Sequence, residues 1–417
     1  MNKQIVLIQP DSPFLNEPLA FPSLGILYVA SYLQENNHNP KLYDLTGGIK
    51  LPQNLKADIF GFSAQITQFN DVVKMKDELK KDNPNSLFVI GGPFPTHSPK
   101  DCFDSGFDIV IRGEGEIPML DLVESYPTII NKEMVADTFV DPNFFPSWEL
   151  INPLRYKYCL EGKRCINIMT RRGNCPFHCT FCAQPEIGKS PLRFRDVKNV
   201  LSEVKYLKDK YNIGAIAFYD DDIFIRKDRD KEIFKGLKDM GIIYRCMTRV
   251  NLATKEDLQF LKDTGCIEVC VGIETGDSNL LTNVIKKGTT IQQNTDFINN
   301  CSKVGLNCKA YMMVGLPGES DETINNTKNW MKSVNLTNYE LFTFTPYPGS
   351  DIYKNKDQYD IDWNENELRE VWFTGGGQYG NCVVRTPCFL SQEITKAKED
   401  IEKEFPRQIN DYWGVGK

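Results

Sequence analysis

A chain of 417 residues, 41% hydrophobic and 25% charged, can bury two or three separate cores and is neither a disordered nor a collagen-like polymer. Its net charge of −7 argues against a protein that grips nucleic-acid backbone non-specifically, so no nucleic-acid partner is expected. The early apolar run Ile5 to Ile8 is too short for a signal-peptide core, and no stretch nears the roughly 20 apolar residues of a membrane span, so a cytoplasmic protein with no membrane partner is expected.

Residues 3–10 predict a short apolar strand, and 21–38 follow with helical apolar spacing. Residues 41–45 and 57–63 predict strands, 70–84 an amphipathic helix stopped by Pro84, and 86–92 and 107–116 two further strands. Strands alternating with helices predict an α/β fold that opens with a doubly wound, Rossmann-like parallel-sheet domain over 1–140. Ligands of such sheets sit beyond the carboxyl ends of the strands. Three of these strands end in turns carrying Ser63, Gly91-Gly92 and Gly113-Glu114-Gly115.

Residues 126–163 have little periodicity and are rich in Pro, Asn and aromatics; 141–160 is expected to be a linker. A second series of strands starts at 165–173 and continues at 214–220, 244–250, 266–274, 306–315 and 339–347, with helical segments between. Thr254 and Asp257 make a capping-box-like start to one helix, which Gly265 closes. Six βα units predict a partial (β/α)6 TIM barrel over 161–347. A small α-rich segment, 348–417, follows on the substrate side, with a Gly375-Gly376-Gly377 loop and one amphipathic helix at 391–405. Trp372, Tyr379 and Trp413 in this tail are expected to serve packing.

The main chemical signal is Cys175-Pro-Phe-His-Cys179-Thr-Phe-Cys182, in the loop after the first strand of the second series. Three thiolates can each bind one iron of a cubane cluster and leave the fourth iron open for a cofactor or substrate. A zinc site would want a fourth ligand, for which His178 is the best candidate, although it lies between two of the cysteines on a tight loop. An odd total of 13 cysteines, spread along a large chain, points to reduced thiols plus a metal site and not to a disulfide framework. Cys266 and Cys270 share one face of a strand as small buried hydrophobes, and Cys382 and Cys388 are expected to be structural.

This Cys-x-x-x-Cys-x-x-Cys spacing, with Phe181 just before the last cysteine, resembles the radical S-adenosylmethionine superfamily. The resemblance implies a [4Fe–4S] cluster on Cys175, Cys179 and Cys182 whose open iron chelates S-adenosylmethionine by its amino and carboxylate groups. It also implies an external electron donor of the flavodoxin or ferredoxin type, and reductive cleavage of the sulfonium to a 5′-deoxyadenosyl radical. Further cofactor contacts would come from Phe181 and from the strand ends. Asp221 and Asp222 match the position of the family's amine-binding motif, although the usual Gly-Gly-Glu is absent. Arg249 resembles an arginine of the same subgroup, and Glu274 resembles its ribose-binding position. Val314 and Leu316, in Val314-Gly-Leu-Pro-Gly-Glu319, resemble the segment that lies along the adenine.

The first domain is similar to the cobalamin-binding domain that precedes many enzymes of this superfamily. The matching stretches are Pro22-Ser-Leu-Gly25, Ser63 through Thr67, Gly91-Gly92-Pro93 and Arg112-Gly-Glu-Gly-Glu116. The implied contacts are Ser63 and Thr67, suited to hydrogen-bond the nucleotide tail, the close-approach glycines Gly91, Gly92 and Gly113, and Arg112 and Glu114. The cobalt-ligating Asp-x-His-x-x-Gly of mutases is absent, since the loop after the first strand reads Asp11-Ser-Pro-Phe-Leu; a base-off, His-off cobalamin is expected.

Both domains in this order imply a cobalamin-dependent radical enzyme that methylates an unactivated carbon of a small-molecule substrate through the deoxyadenosyl radical and methylcobalamin. A radical rearrangement or cyclisation using cobalamin shares every one of these motifs. A transfer-RNA methylthiotransferase-like enzyme fits less well, because those hold a second cluster on three N-terminal cysteines and here only Cys102 precedes Cys159. A non-catalytic cobalamin-binding protein leaves the open cluster position without a purpose.

Overall fold

In a computed structural model of the chain, the described residues are 3–12, 15, 17–127, 132–136, 138–184, 190–336, 338–370, 382–407 and 413–415. The Gly375-Gly376-Gly377 loop, Trp372 and Tyr379, Pro13 and Phe14 of the loop after the first strand, and the side chain of Trp413 lie outside them. The chain divides into two compact units. One comprises Met1–Tyr156 with Arg172–Asn174 and Ala183–Arg193; the other comprises Lys157–Arg171, Cys175–Cys182 and Phe194–Lys417.

The first unit runs β1 (Ile5–Gln9), α1 (Leu24–Glu35), β2 (Lys41–Asp44), β3 (Ile59–Ser63), α2 (Phe69–Asp82), β4 (Leu87–Gly91), β5 (Ile109–Arg112), α3 (Glu116–Ser125) and β6 (Lys132–Val135). All six strands are parallel, in the order β2-β1-β3-β4-β5-β6. Such strands are covered on both faces, which is why Ile5 to Ile8 of β1 form a continuous buried apolar run and not an alternating one. Ile5 and Leu7 pack with Ile26, Ala30 and Leu33 of α1 and Leu122 of α3, whereas Val6 and Ile8 pack with Phe69 and Val72 of α2. The strand order reverses at β1, between β2 and β3, which opens a crevice at the carboxyl ends of β1 and β3.

Two elements here escape the sequence pattern. α3 is apolar on most of its circumference, so its period is weak, and β6 buries only Met134 of its four residues. β6 falls in the stretch where the sequence shows little periodicity, and α3 lies just before it.

The second unit runs β7 (Tyr158–Leu160), β8 (Lys163–Ile168), α4 (Val197–Tyr211), β9 (Ala215–Phe218), α5 (Lys227–Asp239), β10 (Ile243–Thr248), α6 (Lys255–Asp263), β11 (Cys266–Glu274), α7 (Ile291–Val304), β12 (Asn307–Val314), α8 (Asp321–Ser333), β13 (Asn338–Thr343), α9 (Ser391–Glu404) and β14 (Trp413–Val415). Strands β8 to β13 are parallel neighbours in chain order and form the partial (β/α)6 barrel. β7 pairs antiparallel with β8, and β14 antiparallel with β7, which extends the sheet by two strands.

The helices α6, α7 and α8 each start in a reciprocal capping box, Thr254 with Asp257, Thr290 with Gln293 and Ser320 with Thr323. These pairs satisfy backbone N–H groups that the first turn of a helix leaves over. Along β12 the side chains alternate: Ala310, Met312 and Val314 are fully covered, and Tyr311 and Met313 line a cavity. Among the described residues no helix is long and apolar enough to cross a membrane.

Candidate functional site

The cysteine loop leaves β8 from a clamped start. The Asp220 carboxylate, just past β9, accepts the backbone N–H of Thr170 and of Arg171, each at 3.0 Å. From α5, Arg229 donates to the carbonyls of Thr170 at 2.6 Å and Arg195 at 2.7 Å. The far side of the loop is held as well, because Thr180 donates its hydroxyl to the Val284 carbonyl at 2.8 Å and its N–H to Ile285 at 3.1 Å.

Cys175, Cys179 and Cys182 are all free thiols, the middle one buried and the outer two half-buried. Burial pushes the Cys175 thiol up to about 11; a backbone hydrogen bond at Phe177 pulls against this and Asp222 adds to it. A metal would replace that proton. His178 is exposed. Among the described residues no three His, Cys, Asp or Glu side chains converge as ligands of one ion. Each thiolate of an iron–sulfur cluster binds a different iron, so its ligands stand apart by the size of the cluster.

Three consecutive carboxylates after β9 meet three fates. Asp220 is spent on the backbone clamp, and burial pushes it up to about 6. Asp221 is half exposed and pairs with Arg171 at 3.2 Å. Asp222 is buried, with Oδ2 3.9 Å from the Cys175 sulfur; burial pushes it up to about 7 against the pull of Arg249 and Lys287. Of the two carboxylates singled out in the sequence, only Asp222 stands beside a cysteine of the motif.

Arg249, one residue past β10, is 6% exposed. Its Nη1 lies 3.4 Å from the Cys179 sulfur, its guanidinium 3.9 Å from the centre of the Phe177 ring, and its Nη2 donates to the Lys287 carbonyl. Its Nε is buried without an acceptor.

Glu274 ends β11 with a positive φ of 67°, where the pairing with β12 shifts register after Gly272. Such a bulge re-aims a side chain at the end of a strand. Here it turns the Glu274 carboxylate onto the buried ammonium of Lys287. A Cβ on Gly272 would overlap both groups, so any larger residue there must shift the pair. Glu274 also lines a cavity of about 390 Å³ with Phe181, Met247, Tyr311, Met313, Glu340, Phe342 and Phe344 among its walls.

Val314 and Leu316 are buried at the end of β12, flanking Gly315 at φ 86°. The Glu319 carboxylate folds this turn by accepting the N–H of Gly315. Burial pushes Glu319 up to about 7, against hydrogen bonds from the Gly315 and Leu316 backbone. Lys287 and the clamp on Thr170 are not legible in the sequence. Lys287 sits in a Lys-Lys-Gly turn that looks solvated, and only its burial marks it.

In the first unit the candidate residues gather at the carboxyl ends of β3, β4 and β5. Ser63 ends β3, and Thr67 sits in the single turn at Ile66–Gln68. Gly91 ends β4, and Gly92 follows at φ 106°, where a Cβ would stand 3.0 Å from the Ala64 backbone and 3.1 Å from Ser63 Oγ. Arg112 is occupied by the Thr96 carbonyl at 2.8 Å and Glu133 at 2.6 Å. The Gly113 N–H donates to the Thr96 hydroxyl at 3.0 Å. Glu114 receives Arg193 on both oxygens, at 2.8 and 2.6 Å, and Ser190 at 3.0 Å. Hydroxyls and glycine backbone are therefore what this crevice offers a ligand, while Arg112 and Glu114 brace its loops.

Residues 170–331 match the radical SAM superfamily and residues 18–123 match the B12 binding domain. An uncharacterized methyltransferase of Pyrococcus horikoshii is 30% identical over 368 residues, covering 80% of this chain and 78% of that protein. The anaerobic magnesium-protoporphyrin IX monomethyl ester cyclase of Rubrivivax gelatinosus is 26% identical over 369 residues, 80% of this chain and 66% of that protein. A structure of the radical S-adenosylmethionine methyltransferase TsrM from Kitasatospora setae, with tryptophan substrate and a SAM analog bound, shares the fold. Its TM-score is 0.72 over 96% of this chain and 89% of that one, at 16% identity.

The chain belongs to the radical S-adenosylmethionine superfamily, in the group whose members carry an N-terminal cobalamin-binding domain. It is an enzyme, and its cofactors are a [4Fe–4S] cluster, S-adenosylmethionine and cobalamin. The residues present fit those groups: three free thiols in a clamped loop beside a buried arginine, and, at the carboxyl ends of β3 and β4, the Ser63 hydroxyl beside a tight turn at Gly92 where a Cβ would crowd the Ala64 backbone.

Proposed function

We propose that this enzyme methylates an unactivated carbon of a small molecule. The observation that carries the reading is the clamped loop of three free thiols in one chain with a parallel sheet whose strand order reverses beside β3, the strand that ends in Ser63 against the Gly92 turn. When bound, the cluster supplies the electron that cleaves S-adenosylmethionine, and cobalamin supplies the methyl group. Cys175, Cys179 and Cys182 hold the cluster. Asp222 takes the methionine ammonium, a charge-assisted bond suited to a buried carboxylate. Asp221, through Arg171, steadies the loop entry.

Glu274 accepts from the ribose hydroxyls while its ion pair with Lys287 keeps the carboxylate aimed. Phe181 walls the cavity that Glu274 reaches, and Val314 and Leu316 flank the adenine. The unpartnered Nε–H of Arg249 is available to the methionine carboxylate. Ser63, Thr67, Gly91, Gly92 and Gly113 receive cobalamin, held base-off, with Arg112 and Glu114 bracing the loops. In this reading residues 1–140 bind cobalamin, 141–160 link, 161–347 perform the radical chemistry and 348–417 face the substrate.

An electron donor of the flavodoxin or ferredoxin type and a cytoplasmic setting complete the proposal, without a nucleic-acid partner. The thirteen free cysteines support a reducing compartment. The test is anaerobic reconstitution with iron, sulfide and cobalamin, then incubation with trideuteromethyl S-adenosylmethionine, reductant and a small-molecule extract of the producing cells. Label in a new product, with S-adenosylhomocysteine and 5′-deoxyadenosine formed together, is expected. The similarity to a cyclase favours a second reading, cobalamin-assisted ring formation. Deoxyadenosine with substrate consumed and no label transferred would select it.

A further inference from the structure

The guanidinium of Arg249 is a rigid fork of donors, and three contacts fix its orientation. Nη2 is tied to the Lys287 carbonyl, one face lies 3.9 Å from the Phe177 ring centre, and Nη1 is thereby left 3.4 Å from the sulfur of Cys179. Phe177 lies inside the cysteine motif itself, so the loop that presents the sulfur also clamps the cation that faces it. Among the described residues the polar contacts of Arg249 are a carbonyl and a sulfur, and the Asp222 carboxylate acts on it through space without an ion pair. Burial keeps water from screening the guanidinium charge.

We propose that Arg249 tunes the cluster: its N–H···S bond to Cys179 raises the reduction potential and eases electron entry. The inference rests on the reading that Cys179 is a cluster ligand. Reduction adds negative charge to the core and spreads part of it onto the ligating sulfurs. A buried donor and positive charge at one sulfur therefore stabilise the reduced form more than the oxidised one. Arg249 acts here through Cys179, as a positioning residue.

The test uses the full chain with reconstituted cluster and no S-adenosylmethionine, titrated against a series of potentials with the reduced cluster followed by EPR. Arg249→Met keeps the bulk and removes charge and donor, and its midpoint should move to a more negative potential than the parent's. Phe177→Leu loosens the guanidinium but keeps its charge, and should give a smaller shift in the same direction. Pulsed EPR of the unaltered protein should show an exchangeable deuteron and a guanidinium nitrogen coupled to the reduced cluster. An unchanged midpoint in Arg249→Met at full iron content overturns the inference, as does the absence of that coupling. If Arg249→Met holds no cluster, the spectrum of the unaltered protein decides. Failure of the unaltered protein to assemble a four-iron cluster overturns the proposed function itself, an outcome distinct from a cluster indifferent to Arg249.

Discussion

The carboxylate of Glu274 and the ammonium of Lys287, thirteen residues apart, form an ion pair with both side chains more than nine-tenths buried at the end of β11. Removing one partner of such a pair strands the other charge, at a cost of about 3–5 kcal/mol. Glu274→Gln should therefore destabilise the protein and weaken S-adenosylmethionine binding at least about tenfold, since each ~1.4 kcal/mol is a factor of ten. Gly272→Ala should act the same way, because its methyl group would displace the pair. Equilibrium dialysis on cluster-loaded protein measures the affinity; an unaltered value in Glu274→Gln removes this residue from the cofactor site.

Asp220 should prove necessary for the cysteine loop although it binds no cofactor. Asp220→Ala strips the acceptor from the N–H groups of Thr170 and Arg171. Bonds to a charged group contribute about 1.5–3 kcal/mol each, so with two donors stranded a loss of roughly 3–6 kcal/mol in denaturant unfolding is expected. Iron content after reconstitution should fall with it.

The three motif cysteines should behave as a set. Cys175→Ala, Cys179→Ala and Cys182→Ala are each expected to lose the four-iron spectrum, and Cys382→Ala and Cys388→Ala to keep it. Iron and sulfide assays read the difference. A motif variant that retains a full cluster would show that a different side chain supplies the ligand.

Glu319 should leave a signature in the pH dependence of stability. Its folded value of about 7 lies above the ordinary 4.5, so between those values the native protein binds more protons than the unfolded chain. Stability should therefore fall as pH rises through that window, by roughly 3 kcal/mol at most from this group. Urea unfolding of parent and Glu319→Gln across the window isolates the effect, and the variant should show the shallower slope.

Gly92→Ala should impair cobalamin uptake. The positive φ and the Ala64 backbone at 3.0 Å make any side chain there costly, by about 1–3 kcal/mol. The cobalamin that co-elutes with the variant on gel filtration should drop well below the parent's, and equal retention would place the ligand away from this turn.

The βα alternation, the Thr254 capping box and the spacing of Cys175, Cys179 and Cys182 are all legible in the sequence. Each is a local pattern, set by side-chain period or by ligand spacing within a few residues. β6 and α3 are not, because a four-residue strand with one buried side chain and a helix apolar on most faces carry too little period.

What the order of residues determined alone was the two-part architecture and the three-thiol motif. What the tertiary structure decided was which neighbours those motifs meet. Asp220, Asp221 and Asp222 are chemically the same residue in one short run, yet one caps backbone, one pairs with Arg171 and one lies against Cys175. Arg249 reaches a sulfur seventy residues earlier in the chain. Electrostatic partners depend on distance in space and on exclusion of water, and both are set by strands packed from far along the chain.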